Sequence, residues 1–63
     1  MGNNIKTIRK QKNMTQNDLA KAVGVTRQYI GDIENFKKTP TIKVAFDCAK
    51  VLDVEVKDLF YYL

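Results

Sequence analysis

Arg27, Gln28 and Asp32 carry the side chains of this chain best suited to reading another molecule. Arg27 offers two parallel N–H donors, which match the O6 and N7 acceptors of guanine. Gln28 offers a donor beside an acceptor, which match adenine N7 and N6. Asp32 only accepts, so it suits cytosine N4, or repels wrong bases, or orients Arg27 or Gln28. Its plainer reading is a solvated acid or an i,i+4 partner within one helix. Gly31 stands among them, where a helix interior pays about 1 kcal/mol for glycine relative to alanine. Close approach to a groove, or room for a thymine methyl, would account for that cost. Tyr29 lies to one side, where it reaches a phosphate or a base, or fills the edge of a core. Catalysis is poorly provided for. There is no histidine, the one cysteine is Cys48, and no nucleophile stands with a base. The same counts argue against a disulfide framework or a zinc site, so no metal or cofactor is expected and the chain is not read as an enzyme.

The stretch 15–35, T-Q-N-D-L-A-K-A-V-G-V-T-R-Q-Y-I-G-D-I-E-N, must position these groups. Thr15 is a good N-cap, and Asp18 three residues on completes a capping-box pattern. Leu19, Ala20 and Val23 recur at helical spacing. Gly24 ends that helix, because a residue without Cβ takes the left-handed conformation freely. Thr26 caps the next helix, and Ile30 and Ile33 form its apolar stripe. Small Ala20 lets the two helices cross closely. Each feature alone is weak; in this order they are the pattern of a helix-turn-helix. On a helical wheel Gln28, Gly31, Asp32 and Asn35 lie opposite the apolar stripe, with Arg27 flanking them at the N-terminus. The first residues of the second helix in such a motif reach base edges in the major groove. Phosphate contacts are expected from Thr15, Thr26 and Asn35, from Lys37 and Lys38 in the following loop, and from the free N–H groups at the start of the first motif helix.

The apolar spacing predicts five helices in all, over 4–12, 16–23, 27–35, 42–52 and 56–60. In the first, Ile5 and Ile8 face inward. Thr41 caps the fourth, whose inner face is read as Ile42, Ala45, Phe46, Cys48, Ala49 and Leu52. Asp53 then stands where a helix often ends on glycine. Strands are not expected before residue 60, although the closing F-Y-Y-L has the aromatic character of a short one. Cys48 and Met14 read as core. Residues 1–63 make one domain, and a core this small rarely supplies more than about 3–5 kcal/mol. No apolar run approaches the roughly 20 residues of a membrane span, no signal peptide is seen, and the single cysteine fits a reducing cytoplasm. The net charge of +4 is unevenly spread. Residues 1–40 hold eight Lys and Arg against three Asp and Glu, whereas 41–63 hold three against four. The positive half contains the motif, which points to a polyanion, though a solvated lysine-rich surface would look the same.

The chain resembles the small DNA-binding domains of the lambda repressor/Cro class, the XRE family of bacterial and phage regulators. The resemblance is carried by I-K-T-I-R-K-Q-K-N-M-T-Q-N-D-L-A-K-A-V-G-V-T-R-Q-Y-I, then I-E-N, K-K-T-P-T and F-D-C-A-K-V-L-D-V-E-V-K-D-L-F. It implies a compact all-α fold of five helices and sequence-specific binding to a double-stranded DNA operator. It further implies transcriptional regulation, most simply by repression at a palindromic site, usually as a homodimer. It places Gln16 on a phosphate and pairs Arg9 with Glu34 inside the fold. Three positions depart from the pattern. Phe36 stands where glycine is common, so either Asn35 turns left-handed or Phe36 packs on a neighbour. Asp53 replaces a glycine, and Glu55 replaces a serine cap, which leaves the fifth helix less firmly started.

The tail Leu59, Phe60, Tyr61, Tyr62 and Leu63 is too apolar for a free end. It is read as folding back on the first helix or pairing across a two-fold axis, and is the expected dimer interface. Engagement of a partner protein, as in an antitoxin-type system, is the competing use of the same residues.

Overall fold

Residues 2–62 are described by the computed structural model. Three threonines start three of its helices. Thr15, Thr26 and Thr41 each accept, through Oγ1, the backbone N–H three residues on, at 3.0, 3.1 and 3.2 Å. The helices they open are α2 (Gln16–Val23), α3 (Arg27–Glu34) and α4 (Ile42–Leu52). Before them runs α1 (Ile5–Gln11), and after them α5 (Val56–Leu59). At α5 the Asp58 carboxylate accepts the Glu55 N–H at 3.4 Å, so the missing serine cap is replaced from within the helix.

The ends of these helices are local decisions as well. Gly24 closes α2 at φ 85°, and Asp53 closes α4 at φ 58°. The third helix stops one residue sooner than expected. Asn35 stays right of the left-handed region at φ −93°, and Phe36 takes the left-handed conformation itself at φ 63°. Its ring is 61% exposed, so neither alternative read from the sequence describes this end. Asn4 and Lys12 flank α1 as caps and are not part of it.

Two short strands were not foreseen together. Phe60 leaves the fifth helix with φ −124° and ψ 144°, and Phe60–Tyr61 form β2. Its antiparallel partner is β1 (Gly2–Asn3), in register Gly2↔Tyr61 and Asn3↔Phe60. The expectation that no strand precedes residue 60 is therefore corrected. The Tyr61 ring lies where a Cβ at position 2 would be, so a larger residue there would displace that ring. Further bonds fix the junction: Asn4 N–H donates to the Leu59 carbonyl at 2.8 Å, and Asn3 Nδ2 donates to the Ile33 carbonyl at 2.9 Å. The sheet thus clamps both ends of the described chain to the end of α3.

The core gathers Ile5, Leu19, Ile30, Ile33, Cys48, Leu52 and Leu59, all essentially inaccessible. Burial, helped by the neighbouring Asp47 charge, pushes the Cys48 thiol up to about 11, which keeps it protonated and inert at neutral pH. Met14 and Ile8 pack against this core. Two residues of the expected inner face of α4 do not: Ile42 is 78% and Phe46 60% exposed. They sit one turn apart on a shoulder of the helix that no other element of the described residues covers. Among the described residues, no helix is long and apolar enough to cross a membrane.

A bulky residue held left-handed with its side chain in water gives up backbone energy for no buried contact. Phe36→Gly is therefore expected to stabilise the fold by about 1 kcal/mol. A thermal melt should show this as a rise of roughly 4–8 °C.

Candidate nucleic-acid interface

The two motif helices present one continuous polar face because their other faces are locked. Leu19 and Ala20 of α2 and Ile30 and Ile33 of α3 are buried together. That leaves Arg27 and Gln28 exposed, and Gly31 and Asp32 half-buried, along the outer side of α3. With Gln16 and Asn35 these four line an open concavity of about 220 Å³. Four base-reading candidates and two phosphate candidates are thus assembled at one place.

Thr15 and Thr26 border this face as caps. Their oxygens accept backbone N–H groups, and the Thr26 hydroxyl proton stays free to donate outward. The Asp18 carboxylate returns a bond to the Thr15 N–H at 2.9 Å. That N–H, with the Thr15 hydroxyl, holds its carboxyl below the usual range. Lys37 is exposed. Lys38 is not free: its Nζ lies 3.8 Å from Asp32 Oδ2 and 5.7 Å from the centre of the Tyr29 ring. Asp32 therefore pairs with the loop lysine, and no bond joins it to Arg27 or Gln28 among the described residues. Tyr29 packs its half-buried ring against the core.

Beneath the face lies a buried charge. Arg9 Nε donates to Glu34 Oε2 at 2.9 Å and Nη2 to Oε1 at 3.2 Å. Only 7% of the Arg9 and 3% of the Glu34 side chain is accessible. Arg9 Nη1 donates to the Met14 carbonyl at 2.8 Å, which pins the α1–α2 turn. Glu34 Oε1 also accepts from Gln16 Nε2 at 3.0 Å, and Gln16 Oε1 accepts from Arg27 Nη1 at 3.2 Å. Sequence reasoning missed this second connection. No linear signal links positions 16, 27 and 34; only the crossing angle of α2 and α3 brings them together.

The tail divides. Leu59 and Phe60 belong to the core of the single chain, which corrects their assignment to a dimer surface. Tyr61 and Tyr62 remain exposed, Tyr62 at 95%. Leu63 lies outside the described residues.

Two substitutions probe this architecture. Removing one partner of a buried ion pair costs about 3–5 kcal/mol, so Glu34→Ala is expected to leave the chain largely unfolded at 37 °C by circular dichroism. Replacing the pair together, Arg9→Met with Glu34→Leu, should recover much of that loss. At Gly31 a Cβ would meet only the Gln16 amide, at 3.7 and 3.8 Å, an ordinary contact. Gly31→Ala should then stabilise the free protein by about 1 kcal/mol while weakening its hold on a bound duplex. A stabilised variant with undiminished affinity disposes of the close-approach role.

A family described as Helix-turn-helix matches residues 5–59. An uncharacterised HTH-type transcriptional regulator of Methanocaldococcus jannaschii is 47% identical over 62 residues, which cover 98% of this chain and 94% of that one. SinR, a master regulator for biofilm formation, was solved in complex with DNA. This fold matches it with TM-score 0.75 at 38% identity, over 82% of this chain and 84% of that one. The restriction-modification controller protein C.AhdI of Aeromonas hydrophila matches with TM-score 0.83 at 28% identity, over 89% of this chain and 85% of that one.

Proposed function

The chain belongs to the XRE-type helix-turn-helix family of transcriptional regulators, and on that premise we propose that it binds a specific double-stranded DNA operator and represses by occluding a promoter. The observation that carries this reading is the single open face on which Arg27, Gln28, Gly31 and Asp32 meet Gln16 and Asn35. In this reading Arg27 and Gln28 read base edges in the major groove. Gly31 admits the backbone of α3 close to the groove, and Tyr29 touches at its margin. Asp32 acts at one remove, by holding Lys38 and by repelling wrong acceptors. Thr15, Thr26, Asn35, Lys37 and Lys38 grip phosphates, supported by the N-terminal N–H groups of α2. Arg9 and Glu34 build the frame. No part of this reading calls for a catalytic step, a metal or a cofactor.

The operator is read as palindromic and bound by two copies. Dimers of this kind set their recognition helices about 34 Å apart, one duplex turn. The Cα extents of this fold are 26 × 21 × 19 Å. Each extent is below about 34 Å, so two copies fit side by side on successive turns of one face of a duplex. Among the described residues, the large apolar side chains exposed for such a contact are Tyr61 and Tyr62 on the tail, Ile42 and Phe46 on α4, and Phe36 after α3.

The test is selection of bound duplexes from a random pool, with titration of the winner at several salt concentrations and sedimentation of the free protein. Two half-sites one turn apart are expected, bound at least about 10³-fold more tightly than random DNA. A 14 kDa species, twice the 7.2 kDa chain, is expected at micromolar concentration. Salt-sensitive binding without a motif would reduce the interaction to charge alone. Lone chains in sedimentation would turn the exposed tail toward a protein partner of the antitoxin type.

A further inference from the structure

Gln16 lies between a carboxylate that cannot move and an arginine that can. We propose that Gln16 is a specificity-determining positioning residue, which transmits the orientation fixed at Glu34 to the guanidinium of Arg27. The proposal rests on the reading above in one respect, that Arg27 touches a base.

The argument begins at Glu34. Its carboxylate is buried, held at both oxygens by Arg9, and only accepts hydrogen bonds. Gln16 must therefore turn its NH2 inward, and the 3.0 Å bond from Nε2 to Oε1 does so. The opposite orientation would set a carbonyl against a buried negative charge. Because the amide is planar with oxygen and nitrogen on opposite sides, fixing the nitrogen inward fixes the oxygen outward. That oxygen accepts from Arg27 Nη1 at 3.2 Å.

The consequence falls on the free edge of Arg27. A guanidinium is a rigid planar fork. Tethered through Nη1, it keeps its Nε and Nη2 donors available side by side, which is a pair suited to the two acceptors on guanine. An exposed arginine without the tether would sample many rotamers and meet phosphates as readily as bases. A contact to phosphate alone would give Gln16 a different signature, since such contacts change affinity without changing preference.

The experiment separates these roles by comparing duplexes that differ at one base pair. The selected operator is first rebound by Arg27→Ala, and the pair at which preference disappears is the one Arg27 reads. Wild type should favour guanine there by roughly ten- to hundredfold. Gln16→Met keeps length and helix propensity but neither accepts from Arg27 nor donates to Glu34. It should melt as a folded domain and discriminate at that pair by less than about threefold, whatever its affinity for random duplex. In the Arg27→Ala background Gln16→Met should change discrimination no further. The proposal is overturned if Gln16→Met weakens all duplexes equally and keeps the guanine preference, as a phosphate contact would. It is also overturned if the two losses add. If Arg27→Ala loses preference at no pair, base reading by Arg27 itself fails, and the proposal with it. A Gln16→Met chain that does not fold would be replaced by Gln16→Ala, which likewise offers Arg27 no acceptor and sets no charge against Glu34. The same loss of guanine preference is expected of it, and a kept preference overturns the proposal.

Discussion

The bidentate pair between Arg9 and Glu34 is the contact on which the remaining geometry rests. Burying two charges is costly, and the attraction between them repays this only when every remaining donor and acceptor is used. Here that condition decides how three helices meet. Arg9 spends two N–H groups on Glu34 and a third on the Met14 carbonyl, which fixes the turn entering α2. Glu34 uses its spare capacity on Gln16, at the first turn of α2. No buried side-chain nitrogen or oxygen among the described residues is left without a partner. A purely apolar core of this size would tolerate small slips of α2 against α3. A carboxylate with three donors at 2.9–3.2 Å does not, because each slip breaks a bond that water cannot replace.

The rest of the fold holds this pair in place from outside. Asn3 bonds the carbonyl of Ile33, next to Glu34, and the two-stranded sheet ties Asn3 to Phe60. The end of α3 is thereby attached to both ends of the described chain. Beyond that point the backbone is strained at Phe36, with Lys37 and Lys38 following it. Both loop amides donate to the Asp32 carbonyl, at 2.8 and 3.3 Å, so the basic loop turns back over the recognition helix.

What could be read from the sequence was what is decided locally. The limits of α2 and α4 follow from Thr15, Gly24, Thr41 and Asp53, each of which acts on its immediate neighbours, and both were located to the residue. The outward face of α3 followed from the spacing of Ile30 and Ile33. What escaped was decided at a distance. The strand at Gly2–Asn3 has no pattern of its own and exists because β2 meets it from the other end of the chain. Ile42 and Phe46 belong to an apolar arc on the wheel of α4 wider than the neighbouring helices cover, so composition placed them inside and packing leaves them out. At Phe36 the sequence signalled an irregularity, the missing glycine, but not which of two residues would carry the strain. The family resemblance places Gln16 on a phosphate, and its further tie to Glu34 is tertiary and has no linear signal.

The polar face therefore has two layers of different stiffness. The inner layer, Glu34 to Gln16 to Arg27, is anchored on a buried charge at one end and reaches the surface at the bond from Arg27 to Gln16. The outer layer, Asp32 to Lys38, is a contact of 3.8 Å with the lysine side chain 56% exposed. Pairs of that kind contribute about 0–1 kcal/mol and are weakened by salt. In the proposed complex an approaching phosphate would take Lys38 from Asp32 at little cost, and the freed carboxylate would penalise any base edge that presents only acceptors. In the proposed complex the soft layer would supply affinity and its salt dependence, and the stiff layer would supply discrimination. That division is enforced by burial: both ion pairs join a basic and an acidic residue, and only the depth of each decides which can be exchanged.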